Sequence, residues 1–175
     1  MKRTLVLALA LTGVLAAGCS GSSNKETVGQ SSPTPTATGP ACEPSGSGTT
    51  DLTAKPVVTV PTTPAPPTTT IVDIVCGTGD EATDGANVEV KYLGVLYAGG
   101  KEFDSSWSRG AEETLPFQVG GQVIPGFSKG TEGMRVGGRR EVIIPPADGY
   151  GAQGSPPVIP PNSTLIFVID LVKVG

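Results

Sequence analysis

Glycine and proline interrupt this chain too often for long helices to form. Its 175 residues include 25 Gly and 17 Pro. An interior helical Gly costs about 1 kcal/mol and a Pro about 3 relative to Ala, so a helical bundle is excluded and strands, tight turns and irregular segments remain. One domain of ordinary size fits this length, whereas two would be cramped. Histidine is absent, which removes imidazole triads, imidazole acid–base chemistry and every zinc site that needs an imidazole ligand. The 16 acidic residues exceed the 12 Lys and Arg; an acidic chain repels a polyanion, so nucleic acid is not an expected partner.

The first residues read as an export signal. Lys2 and Arg3 precede an uncharged stretch from Thr4 to Gly18 that ends in small residues before Cys19. It is shorter than the roughly 20 residues of a spanning helix. Leu15-Ala16-Ala17-Gly18-Cys19 resembles the bacterial lipobox, so residues 1–18 are expected to be removed and Cys19 to carry acyl chains. Cleavage takes two cations and no acid, moving the net charge from −4 to −6. Attraction to anionic lipid cannot hold such a protein on a membrane, and the acyl chains must. The expected location is therefore the bacterial cell envelope, lipid-anchored on the outer side of the membrane.

Residues 19–70 are rich in Ser, Thr, Pro and Gly and poor in large apolar side chains. Such a stretch buries too little apolar surface to offset its ordering entropy and reads as a tether. Pro56-Val57-Val58-Thr59-Val60 is the exception, either an added edge strand or an extended segment. With Cys19 lipidated, Cys42 and Cys76 remain in an oxidising compartment, which suggests a disulfide; two free thiols are the other reading.

Residues 71–175 read as an α+β domain. Ile71 to Cys76 is a β-branched run; Val88, Val90 and Tyr92 alternate with Glu89 and Lys91 in a strand that continues to Tyr97. Leu115 to Val119, Arg139 to Ile144 and Thr164 to Val174 supply further strands, the last alternating Leu165, Phe167, Ile169 and Leu171 with Thr164, Ile166, Val168 and Asp170. Ile124 to Met134 is the one helical stretch, held to a few turns by Gly126, Gly130 and Gly133. Asp80, Glu81 and Asp84 have no further ligand at a fixed spacing and read as a solvated turn. Neither a metal nor a cofactor is expected.

Three runs, VKYLGVLYAGGKEFDSS, FQVGGQVIPGFSKGTEGMRVGGRREVIIPP and GYGAQGSPPVIPPNSTLIFVIDLVKV, occur in this order across residues 71–175. Together they resemble the FKBP-type peptidyl-prolyl cis-trans isomerases. The resemblance implies a curved antiparallel sheet of five or six strands wrapped around one short helix, with an apolar pocket between them for a proline ring. By position, Tyr92, Phe103, Asp104, Tyr150 and Phe167 match the family's catalytic residues. Val123, Ile124, Phe127, Val158, Ile159 and Arg109 match its substrate-binding residues, with Phe127 on the pocket floor and Arg109 as the partner of Asp104. The chain departs from the family where Phe127 replaces the common Trp, Leu115 a common aromatic and Ser155 a His. Trp107 is expected at the pocket rim.

The implied partners are proline-containing polypeptides, with immunosuppressant macrolides as candidate ligands, and the implied state is a monomer. The residues suit that chemistry, because rotation about an X-Pro bond needs no proton or nucleophile and an apolar pocket disfavours the planar, charge-separated amide. A catalytically weak peptide-binding or chaperone lipoprotein with the same fold is the alternative reading. For the N-terminus, Cys19→Ala is expected to release the protein from the membrane fraction or leave its signal uncleaved. Fractionation with intact-mass measurement checks this, and unchanged processing with full membrane retention would contradict it.

Overall fold

The structure is a computed structural model and describes residues 42–175. The signal segment and Cys19 lie outside the described residues. Six antiparallel strands form one sheet: β1 (Thr70–Val75), β2 (Asn87–Leu96), β3 (Glu102–Ser105), β4 (Leu115–Gln118), β5 (Arg139–Ile144) and β6 (Leu165–Val174). Their order is β1-β5-β6-β2-β3, with β4 paired to the start of β2. Five of these strands lie where the alternation places them. β3 was not expected, because among its four residues only Phe103 is apolar, too little to show a period.

The single α-helix among the described residues, α1 (Pro125–Thr131), crosses the inner face of the sheet. It is shorter than the expected 124–134 because Glu132 is extended (φ −56°, ψ 135°) and Gly133 has φ 74°, a left-handed conformation that ends the turn. Pro125 fits at the first helical position, where no N–H is needed. Gly126 and Gly130 do more than limit length: a Cβ on either would collide with Ile144 or Val142 of β5, so the helix backbone lies directly on that strand. Arg140 Nη1 donates to the carbonyls of Gly130 and Glu132, both at 3.0 Å, satisfying the helix C-terminus from the sheet. Val90, Tyr92, Val142, Ile144, Leu165, Phe167 and Ile169 join Phe127 in the core between helix and sheet.

The outer face is also buried. β6 is covered on both sides, with Ile166, Val168 and Asp170 as inaccessible as the inward Leu165, Phe167 and Ile169. Its cover is residues 42–69. Their composition predicts no regular structure and they carry none, yet they are fixed on the domain rather than hanging from it. Val58 and Val60 pack on Leu93, Val95, Ile143 and Ile166; residues 56–60 thus join the fold by packing and not as a strand. Cys42 and Cys76 are bridged, with Cα atoms 5.8 Å apart, tying the start of the segment to the end of β1. Tyr97 Oη donates to the carbonyl of Thr63 and Thr69 Oγ1 to Asp148.

At the centre of this attachment is Arg139, fully buried. Its Nε and Nη2 donate to Asp170 at 2.5 and 2.7 Å, and its remaining donors reach the carbonyls of Thr49, Asp51 and Ala54 at 2.6 to 3.1 Å. Burial raises the Asp170 carboxyl above the usual range, against the pull of Arg139. Arg139→Met is expected to lower stability by about 3–5 kcal/mol by leaving Asp170 buried without a cation. Adding Asp170→Leu should recover much of that loss, because two apolar side chains replace an ion pair at little net cost. Urea denaturation midpoints test both, and a single variant as stable as the parent would contradict the role given to the pair.

Candidate active site

The inner face of the sheet positions an aromatic cluster. Phe127 on α1 stands edge-on to Tyr92 of β2, Phe117 of β4 and Phe167 of β6, with centroids 5.8, 5.4 and 5.1 Å apart, and Phe103 of β3 stands edge-on to Phe167 at 5.4 Å. These are the offsets that aromatic quadrupoles favour. Phe127, Tyr92 and Phe167 are buried, whereas Phe103 and Phe117 keep partial access to solvent. Gly94 makes the arrangement possible. A Cβ there would lie 2.7 Å from the Phe103 ring and 2.9 Å from the Phe167 ring, so both aromatics rest on bare β2 backbone.

A charged network closes one side of the cluster. Tyr92 Oη donates to Asp104 Oδ2 at 2.5 Å, and Arg109 donates through Nη1 to Asp104 Oδ1 at 2.7 Å and through Nη2 to Tyr92 Oη at 3.0 Å. The Tyr92 N–H donates to Ser106 Oγ at 2.9 Å, and the Ser105 N–H to Asp104 Oδ1. Burial is the main cause that raises the Tyr92 phenol above its ordinary pKa. The hydrogen bond to Asp104 adds to it and Arg109 opposes it. Tyr150, on the turn after the 3-10 segment Pro146–Asp148, keeps 38% of its surface exposed. Its pKa is likewise raised, first by burial and then by the charge of Asp104.

The other expected residues divide by burial. Ile159 lies in the core beside the aromatics, with Val123 and Ile124 packed partly exposed on it. Val158 is 43% exposed on the 155–159 loop, which Ser155 and Ile159 close by mutual backbone hydrogen bonds. Ile124 ends the loop before α1; its carbonyl accepts the N–H groups of Phe127 and Ser128, while its own N–H has no partner among the described residues. Trp107 is not at the rim. It is half-buried against Lys91, whose Nζ lies 4.9 Å from the ring centroid, and Lys91 precedes Tyr92 and so projects from the opposite face of β2.

Three contributors were missed by the sequence reading: Gly94, Phe117 and Ser106. An isolated glycine inside the run VKYLGVL was the available signal for a close approach. Phe117 and Ser106 act through contacts across the sheet that no local pattern reveals. A separate hollow of about 320 Å³ lies among Asn87, Glu89, Phe117, Gln118, Lys173 and Gly175. Of its lining only Phe117 is one of the stacked rings, and none of Tyr92, Asp104 and Arg109 lines it, so the hollow is separate from the charged network. Among the described residues no group of His, Cys, Asp and Glu is arranged to hold a metal ion.

Residues 79–172 match the family described as FKBP-type peptidyl-prolyl cis-trans isomerase. A probable FK506-binding protein of Corynebacterium glutamicum is 47% identical over 119 residues, covering 68% of this chain and 98% of the relative. An FK506-binding protein of Streptomyces anulatus is 49% identical over 122 residues, covering 69% and 97%. Among solved structures, AtFKBP13 aligns with a TM-score of 0.56 at 35% identity over 61% of this chain and 93% of its own. FkpA from Escherichia coli aligns with a TM-score of 0.55 at 40% identity, and there the match spans only 47% of the longer chain.

Phe127 and Phe167 each meet three other rings of the cluster, and Phe127 is the one contributed by the helix. Phe127→Ala is expected to lower stability by about 3–5 kcal/mol through lost burial and the cavity left behind, whereas Phe103→Ala, at the partly exposed margin, should cost less. Denaturation midpoints of the two variants check the order, and an equal or reversed effect would remove Phe127 from the centre.

Proposed function

This chain belongs to the FKBP-type peptidyl-prolyl cis-trans isomerase family, and from that premise we propose that it accelerates X-Pro isomerisation in exported proteins while anchored to the bacterial envelope through Cys19. The observation that carries the pocket reading is the junction of the Tyr92–Asp104–Arg109 network with the Phe103, Phe127 and Phe167 rings. It sets an apolar surface for a proline ring beside groups that fix the chain on either side. The relatives' names extend the reading to FK506-type ligands.

No bond is made or broken to heavy atoms in this reaction. The barrier of roughly 18–20 kcal/mol is the loss of amide conjugation on twisting. Planar amide carries charge separation that water stabilises and that the twisted form lacks, so transfer onto the aromatic surface penalises the planar state more. The free Ile124 N–H and the Tyr150 hydroxyl, which has no partner among the described residues, are the donors suited to the substrate carbonyls flanking the proline. Asp104 and Arg109 hold Tyr92 in its rotamer. About 8 kcal/mol off the barrier corresponds to about a 10⁶-fold acceleration.

The shifts in the site carry a sign. Tyr92 and Tyr150 are acids whose pKa values are raised, so their hydroxyls stay protonated to higher pH than free tyrosine, and the Arg109 guanidinium is pushed still further from neutrality, first by its hydrogen bond to Tyr92. With no imidazole present, kcat/KM for prolyl isomerisation is expected to be flat from about pH 6 to 9. An NMR exchange assay on a proline tetrapeptide tests both claims. Absence of catalysed exchange would overturn the isomerase assignment, and a bell centred near neutrality would overturn the mechanism.

A further inference from the structure

Residues 42–69 lie outside the matched segment 79–172, yet one of them reaches the wall of the site. Lys55 Nζ donates to both oxygens of Glu102, at 3.0 and 2.7 Å, and lies 3.4 Å from Ser108 Oγ, which itself donates to Glu102 at 2.8 Å. Glu102 stands two residues before Asp104 on edge strand β3, and Ser108 immediately precedes Arg109. Glu102 and Ser108, both held to Lys55, therefore flank Asp104 and Arg109 along the chain. The hydrogen bond from Lys55 is the main cause that holds the Glu102 carboxyl below its ordinary pKa, with burial and then the charge of Asp104 opposing it.

Lys55 is held in place from behind. The carbonyl of Ala54 accepts from Arg139 Nη2 at 3.1 Å, Pro56 is buried, and the preceding turn is closed by Asp51, which accepts from Thr53 N–H and Oγ1. None of these groups belongs to the site. The backbone on both sides of Lys55 is thus fixed by the core of the outer face, while its exposed ammonium is held by Glu102 of β3.

We propose that Lys55 is a positioning and specificity-determining residue of the isomerase site: by engaging Glu102 it leaves Arg109 to Asp104 and Tyr92, and it keeps the local charge balanced so that peptides with an acidic residue before proline are accepted. The proposal rests on the reading of Tyr92, Asp104 and Arg109 as the site. With Lys55 present, two cations face two carboxylates. Without it, Glu102 competes with Asp104 for Arg109 through the Ser108–Arg109 turn and one net negative charge remains beside the substrate. A unit charge several ångströms away in a solvated setting changes binding of a charged group by about threefold, and salt removes the effect.

The test uses the full chain and three peptides, Ala-Glu-Pro-Phe, Ala-Leu-Pro-Phe and Ala-Lys-Pro-Phe, with kcat/KM from NMR exchange. Lys55→Gln is expected to lower the rate on the Glu peptide relative to the Lys peptide by about threefold at low ionic strength, with the Leu peptide between them. The difference should vanish at about 0.5 M salt, and Lys55→Arg should retain the parental ratio. The denaturation midpoint of Lys55→Gln should stay near the parental value. An unchanged Glu-to-Lys ratio in an active Lys55→Gln variant overturns the proposal while leaving the site reading intact. Equal losses on all three peptides with a lowered midpoint also overturn it, by assigning Lys55 a purely structural role. A parental chain that catalyses none of the three removes the site reading and the proposal together.

Discussion

A guanidinium sealed inside a protein needs an anion and acceptors for each of its remaining N–H groups, and in this fold that requirement organises one whole side of the molecule. Arg139 lies on β5 and Asp170 opposite it on β6, so the sheet register brings them together. The carboxylate occupies only part of the guanidinium's hydrogen-bonding capacity. The carbonyls of Thr49, Asp51 and Ala54 take the rest. A segment with few large apolar side chains is thereby drawn onto the sheet, because three of its backbone carbonyls find a charged donor there. Val58 and Val60 then close over Leu93, Val95, Ile143 and Ile166 on the same face.

The inner face follows a different rule, one of close approach. Gly126 and Gly130 bring α1 onto β5 without intervening side chains, and Gly94 lets two phenyl rings rest on β2. The space saved is filled by the rings of Tyr92, Phe103, Phe127 and Phe167. Tyr92 connects this apolar surface to the polar edge, since its ring meets Phe127 while its hydroxyl joins Asp104 and Arg109. The charged edge runs along β3 and the turn that follows it, where Glu102 pairs with Lys55 and Asp104 with Arg109.

Local patterns made much of this legible. The strands at β1, β2, β4, β5 and β6 appear in sequence as β-branched or alternating runs because one face of each meets a continuous apolar core. β3 does not, since an edge strand with Glu102 and Asp104 on either side of Phe103 has no apolar period to read. The helix was overextended by three residues at its C-terminus and one at its start; the backbone turn at Glu132 and Gly133 decided the stop. Of the candidate site, the spaced runs singled out Tyr92, Phe103, Asp104, Arg109, Phe127 and Phe167, which the fold brings together. The contacts of Phe117 and Ser106 could not be read, because both depend on residues distant in sequence meeting across the sheet.

By itself the sequence determined the class of fold, through periodicity and glycine placement that are local properties of the chain, while its spaced runs carried the resemblance to the family and to that family's site positions. It also excluded imidazole chemistry outright, by having no His. Only the tertiary structure decided what residues 42–69 do. Composition reports whether a segment can order itself through its own side chains, and this one cannot. It does not report acceptors that a segment's backbone offers to a buried cation elsewhere, and those carbonyls, together with the Cys42–Cys76 bridge, hold the segment on the domain and carry Lys55 to the edge of the site.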